Sequence, residues 1–258
     1  MEREQHDGGQ TIHVVMRKED LDPDRVADKT VVVVDVLFAT TSIIAVLAHG
    51  ISVVYPARDA DEARELAKRP DVGSVVLAGE TMFRNIEGFA PPTPLALCRY
   101  IGSRDALIYA TTNGTVALRA CAGAKRVLVG SLLNAGATAR ALGSAPGTVV
   151  ILCAGTAGTF NLEDFYGAGC LVQRILQRRT NVHLTDAARA SLDLFEALDA
   201  QAALQRSYVG RLMHEWDLDP EVAYASRIDE LEVSAELRDG CIRVCGGSPG
   251  AGGIGYRG

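Results

Sequence analysis

The chain has 258 residues, enough for one large or two small domains with a buried core. Apolar residues are 48% and charged residues 22%, a globular balance, and a net charge of -6 gives no basic footprint for nucleic acid or an anionic membrane surface. No apolar run is as long as a membrane span, and the polar, acidic start lacks the plan of a signal peptide, so a cytoplasmic protein is expected.

In chain order, β-branched runs alternate with helix-like stretches. "HVVM" and "VVVVD" come first, and the second ends in Asp35. "SIIAVLAHG" has helical spacing and stops at Gly50; "SVVYPA" follows as a strand, then "DADEARELAKRP" as a helix ended by Pro70. "SVVLAGE", "ALIYATTNG", "RVLVGS" and "TVVILCAG" continue the series. Their apolarity is continuous rather than alternating, which predicts strands buried on both faces. Strand–helix alternation predicts an α/β fold, a layered α/β/α arrangement with a mostly parallel or mixed sheet. A parallel sheet would put the strand C-termini, and a site, along one edge. Segment 41–56 echoes 115–130 in pattern (a Thr-capped helix, a small-residue turn, a strand), which leaves two pseudo-repeated halves open. From "LTDAARASLDLFEALDA" to "RLMHEW" the pattern is helical, with Thr185 as N-cap, and "RIDELEVSAELRDGCIRV" predicts a closing strand or two. Residues 1–245 thus form a single α/β domain, and the Gly-rich stretch 246–258 is expected to be a flexible tail.

Several chemistries are excluded. There is no G-x-x-x-x-G-K-[ST] loop, and "GAGCLV" has only two of the glycines of a dinucleotide turn and follows no strand. "GGSPG" fits the G-x-S-x-G elbow only formally, since no helix and no downstream Asp and His follow it. A thiol phosphatase needs an arginine six residues past its cysteine, and Thr159 stands there after Cys153. The cysteines form no C-x-x-C pair, which argues against structural zinc.

What remains is a set of polar residues at or just beyond strand ends: Asp35, Glu80, Glu163, Asp164, "TTNGT" (111–115), "GSLLN" (130–134) and "CAGTAGT" (153–159). Asn113, Gly114 and Thr115 open a helix and suggest an anion-binding nest, and "CAGTAGT" suggests a second. The four acids supply hard oxygen ligands of the kind Mg²⁺ takes alongside water and substrate oxygens. Carboxylates beside anion nests suit phosphoryl transfer, where catalysis is mostly positioning and charge neutralisation. Each acid taken alone reads equally well as a cap or a surface charge.

Together, "DVLFATTS", "LAGE", "IEGF", "TTNGT-ALRA", "GSLLN", "CAGT" and "LEDFYGAG" resemble the 2-phosphosulfolactate phosphatase family, over about Val31 to Val244. The resemblance implies an α/β fold, Mg²⁺, and hydrolysis of a phosphate monoester on a small acidic substrate. It makes Asp35, Glu80, Cys153, Glu163 and Asp164 candidate catalytic groups, with Asp35, Glu80 and Asp164 as metal ligands. It places Phe38, Thr40, Thr41, Arg84, Asn113, Gly114, Thr115, Ser131, Asn134 and Thr156 at the substrate. The implied partner is a small molecule, and a homodimer stays open.

The departures concern charge. Phe38 stands where the family's D-V-x-R-A has arginine, Thr81 where G-E-R has one, and "APPTP" (90–94) where an acid and G-N-S-P are expected. Arginine grips phosphate and sulfonate in bidentate fashion, so losing two weakens the site for a multiply charged anion. Arg84 is a candidate replacement; Met82, Phe83 and Phe89 make the mouth more apolar. The expected substrate is therefore a different, less anionic metabolite. Two alternatives are a non-phosphatase reaction on an apolar substrate in specialised metabolism, and a non-catalytic binding protein.

Overall fold

The computed structural model describes residues 9–143 and 147–246. The expected Gly-rich tail, apart from Gly246, lies outside the described residues. The elements are β1 (Gln10–Val15), β2 (Thr30–Val34), α1 (Ala39–Ala48), β3 (Val53–Ala57), α2 (Ala60–Ala67), β4 (Val75–Thr81), β5 (Arg84–Asn85), α3 (Pro94–Tyr100), β6 (Ala106–Ala110), α4 (Gly114–Ala120), β7 (Arg126–Gly130), α5 (Ala135–Ala141), β8 (Gly147–Cys153), α6 (Leu162–Leu176), β9 (Val182–Leu184), α7 (Asp186–Ala197), α8 (Ala200–Arg206), α9 (Tyr208–Glu215), α10 (Asp219–Ala225), β10 (Ala235–Arg238) and β11 (Cys241–Val244).

The strands form one sheet in the order β5-β4-β6-β3-β11-β10-β7-β2-β8-β1-β9. Each valine-rich run became a strand because both faces of the sheet are covered. In β2, Val31 and Val33 enter one core while Val32 and Val34 enter the other, as the two-residue period of a strand requires. Helices α1, α3 and α4 contribute to the first core, α6 and α7 to the second. Helix α2 packs on the outer face of β3, β4 and β6, where Ala57, Ala63, Val72 and Ile108 form a third, smaller core.

The expected fold class holds, but the expected single parallel edge does not. Strands β4, β6 and β3 form one parallel block, and β7, β2, β8, β1 and β9 another. The hairpin β10–β11 lies between them, antiparallel to β7 on one side and to β3 on the other. Three antiparallel steps reverse the strand sense, so the two blocks run in opposite directions. In a flat sheet their C-terminal ends would lie on opposite edges. In the folded chain the turns after β2 and β6 nevertheless meet. Their meeting is direct: a Cβ on Gly114, after β6, would fall 2.5 Å from Asp35 Oδ2 and 2.3 Å from Ala39 Cβ, after β2. Only glycine fits there. The echoing segments are the two connections between blocks, β2–α1–β3 and β6–α4–β7.

The long helix expected from Thr185 to Trp216 is three helices. Asp199 accepts from the Ala202 N–H at 3.2 Å and Ser207 Oγ from the Gly210 N–H at 2.9 Å, and each restarts the helix as an N-cap. Helical periodicity continues through such breaks and hides them. Thr185 does sit at the N-cap of α7, without a side-chain cap bond. These short helices fold back, and α10 reaches α3. There Glu221, 6% exposed, accepts from Thr93 Oγ1 and from the N–H groups of Leu95 and Ala96, at 2.7–2.9 Å. That carboxylate ties the C-terminal helices to the segment 91–96. No helix of the described residues is long and apolar enough to cross a membrane.

Candidate active site

A cavity of about 570 Å³ opens where the two blocks converge. Its polar wall holds Asp35, Glu80, Arg84, Thr111, Asn113 and Thr156. Its apolar wall includes Phe38, Phe83, Met213, Trp216 and Leu218.

Asp35 lies one residue past β2. Its N–H donates to Thr40 Oγ1 (2.9 Å), and its Oδ1 accepts from the Ala39 N–H (3.2 Å). Burial pushes its pKa up to about 7, and the Glu80 charge pushes the same way; the Ala39 N–H, Lys18 and the Gly114 N–H oppose them. Glu80, in β4, is held by the N–H groups of Thr112 and Phe83, each at 2.7 Å, and by Thr112 Oγ1 at 3.2 Å. Arg84, in the two-residue β5 that pairs with the end of β4, is a cation on the cavity wall. Phe38 is the N-cap residue of α1, and its peptide bond to Leu37 is cis.

Other expected site residues are present but turned to structural work. Thr40 Oγ1 donates to the Asp35 carbonyl and Thr41 Oγ1 to that of Val36, so both brace the turn after β2. Thr115 exchanges hydrogen bonds with Thr111 through hydroxyl and backbone, behind the cavity wall. Ser131 and Asn134 form a capping box before α5, and Asn134 Nδ2 donates to the carbonyls of Val129 and Val233. Both are buried in the sheet–helix junction and do not line the cavity. Cys153 is fully buried at the end of β8, its thiol pushed well above the usual range by burial and by Asp164 and Glu163, which disfavours a thiolate.

Glu163 and Asp164, each 1% exposed in the first turn of α6, lie behind the wall rather than on it. Asp164 accepts from the Val36 N–H at 2.8 Å and the Gly155 N–H at 3.1 Å, clamping the turns after β2 and β8 together. Burial and the charges of Asp35 and Glu163 drive its pKa well up. Glu163 has no partner of good hydrogen-bond geometry on either carboxylate oxygen; Ser207 stands close enough to lower its pKa but donates its proton to the Leu204 carbonyl. Burial outweighs that and raises Glu163 to about 7.

The two expected anion nests are already filled by the chain. In the first, the Gly114 N–H faces Asp35 and the Thr115 N–H donates to Thr111 Oγ1. In the second, the N–H groups of Gly155, Thr156, Ala157 and Thr159 go to Asp164, Thr159, Asn113 Oδ1 and Thr156. The turn geometry suggested anion binding, but the carboxylates that would sit beside an anion occupy the donors themselves.

Two groups of functional residues escaped the sequence. Lys18, just past β1, donates to Asn113 Oδ1 at 2.9 Å, pairs with Glu19 at 2.8 Å, and lowers the pKa of Asp35. Its place at the C-terminal end of a strand was the available signal. Met213, Trp216 and Leu218 come from α9 and the turn after it, where no local pattern announces a cavity wall. Phe83 lines the cavity as expected; Met82 is exposed, and Phe89 packs on the third core beneath the Arg64 guanidinium.

Mg²⁺ takes one or two carboxylates and completes its octahedron with water and phosphate oxygens. Among the described residues no three His, Cys, Asp or Glu side chains converge as a ready cation cage. Asp35 and Glu80 nevertheless share one cavity wall and repel each other enough to raise Asp35's pKa. A divalent cation would relieve that repulsion, so this pair fits the ion; Asp164, 1% exposed and outside the cavity lining, fits it less well.

The family model for 2-phosphosulpholactate phosphatase matches residues 15–240. Three bacterial proteins carry the name "Probable 2-phosphosulfolactate phosphatase". That of Caldanaerobacter subterraneus subsp. tengcongensis is 32% identical over 220 residues, 84% of this chain and 91% of its own. That of Clostridium beijerinckii is 30% identical over 233 residues, covering 90% of this chain and 98% of the relative. That of Clostridium tetani is 29% identical over 233 residues, covering 90% and 99%.

Proposed function

The chain belongs to the 2-phosphosulfolactate phosphatase family, and on that premise we propose that it is a Mg²⁺-using phosphoric monoester hydrolase for a small metabolite less anionic than phosphosulfolactate. The observation that carries this reading is the cavity itself, whose lining brings together two carboxylates, an arginine and several aromatic side chains. Glu80 would hold Mg²⁺, which when bound would neutralise charge on the phosphoryl oxygens. Arg84 reaches the same oxygens from β5 and supplies the one guanidinium grip left on the wall. Asp35, buried on the cavity lining, would take a proton from the attacking water. Water adds to phosphorus, the P–O bond to the organic part breaks, and alcohol and inorganic phosphate leave. Lys18 holds Asn113 and offsets charge behind Asp35.

The test is a panel of phosphate monoesters with and without Mg²⁺. Turnover that Mg²⁺ raises, with Glu80→Gln losing Mg²⁺ binding and Asp35→Asn keeping it while losing rate, is expected. If no phosphomonoester turns over, the reading fails. The second reading, a different reaction on an apolar substrate, draws on the filled nests and on Phe38. Phe38→Arg separates the two, since phosphosulfolactate turnover should rise only if the site is still a phosphatase.

A further inference from the structure

The cavity has more apolar wall than a phosphorylated lactate can use. At about 570 Å³ it lies in the range of sites for drug-sized ligands. Phe83 joins its two chemistries. The Phe83 N–H donates to Glu80 Oε2 at 2.7 Å, while its ring meets Trp216 edge to face, 6.3 Å between centroids and 67° between planes. Phe83 thus carries both contacts, its backbone on the carboxylate and its ring on the tryptophan. Met82 and Phe83 are held at φ 50° and 65°, in the left-handed region that bulky residues rarely adopt, and the β4–β5 turn thereby presents Phe83 to the cavity. Phe38 faces the same space, and Trp216 remains 43% exposed, so part of its ring is free for contact.

Building on the phosphatase reading above, we propose that the substrate is a phosphate monoester of an aromatic alcohol or phenol, its ring seated between Phe38 and the Phe83–Trp216 pair and its phosphate at Glu80 and Arg84. Three aromatic side chains on one cavity lining offer ring faces and edges that a planar ring can pack against better than a branched aliphatic acid can. Among the described residues Arg84 is the one arginine of the lining, which suits one phosphate and leaves no second guanidinium there for a sulfonate or carboxylate.

Trp216 is the chain's single tryptophan, so its emission reports this wall alone. The protein is titrated, with Mg²⁺ present, with benzylphosphonate, an unreactive aryl probe, and with 2-phospholactate as the aliphatic control; phenyl phosphate and 2-phospholactate are then compared as substrates. The expected result is a saturable change in Trp216 emission with benzylphosphonate, binding tighter than 2-phospholactate by about tenfold or more, and a matching preference in kcat/KM. Trp216→Leu, followed by calorimetry because the probe is gone, should raise KM for phenyl phosphate about tenfold and lower the preference for phenyl phosphate over 2-phospholactate in kcat/KM by a similar factor. Equal or tighter binding of 2-phospholactate, or no response to the aryl probe, overturns the inference even if phosphatase activity is found. Tight aryl binding with no ester turned over overturns the substrate assignment together with the phosphatase reading.

Discussion

Two pairs of acids follow apolar strands in this chain, and they have opposite surroundings. Asp35 and Glu80 stand on the cavity wall; Glu163 and Asp164 lie behind it, in the first turn of α6. All four look alike as sequence: a carboxylate at or beyond a β-branched run. The difference lies in whether they line the cavity: Asp35 and Glu80 do, although backbone N–H groups hold both, whereas Glu163 is sealed in without a hydrogen-bond partner and Asp164 spends both oxygens on the N–H groups of two turns. The inner pair therefore reads as the clamp that positions the outer pair. That clamp has an electrostatic cost, because Asp35 raises the proton affinity of Glu163 and Asp164, and Glu163 raises that of Asp164.

The largest test of this contrast is Asp35→Asn. Loss of the proposed base should lower kcat by roughly a hundred- to ten-thousandfold, with thermal stability unchanged or raised, because a buried charge is removed. A comparable loss of stability instead would make Asp35 another clamp. Asp164→Ala should do the reverse, stranding the Val36 and Gly155 N–H groups at about 1–3 kcal/mol each and lowering the melting temperature by several degrees. Full retention of the melting temperature would count against the clamp.

The acids also set a pH dependence in metal-free protein. Asp35 and Glu163 rise to about 7 in the folded state, from ordinary values near 4. The folded chain thus holds protons that the unfolded chain has already released, so the contribution of these two acids to stability is greatest below about pH 4 and is lost as pH rises through about 7. Melting curves across that range should show the fall, and Asp164→Asn should flatten it. A rise in stability from pH 4 to 7 would contradict the buried-acid reading. The smallest effect is expected at Ser131→Ala, which removes one side of the capping box at about 0.5–2 kcal/mol and leaves kcat/KM per folded molecule unchanged. A loss of activity there would return Ser131 to the site.

Much of this was legible in the residues. The valine runs predict strands buried on both faces, and β2, β7 and β8 are such strands. Asp35, Phe38, Glu80, Arg84, Asn113 and Thr156 follow strands or the turns beyond them, and all reach the cavity. Ser131, Asn134 and Thr115 carry the same signal but serve caps and turns, because a polar residue after a strand can bond the backbone as well as a ligand.

The local chain by itself determined the kinds of element, their order, the acids at strand ends and the family. Those depend on side-chain period, turn residues and motif spacing, which are properties of neighbouring residues. The sense of the sheet was decided only in three dimensions. Hairpin β10–β11 closes the sequence yet inserts at the sheet's centre, reversing one block against the other. Register between distant strands depends on long-range pairing and burial, which no local window contains. The aromatic wall has the same origin: Phe83 and Trp216 are far apart in the chain and meet only in the fold, edge to face.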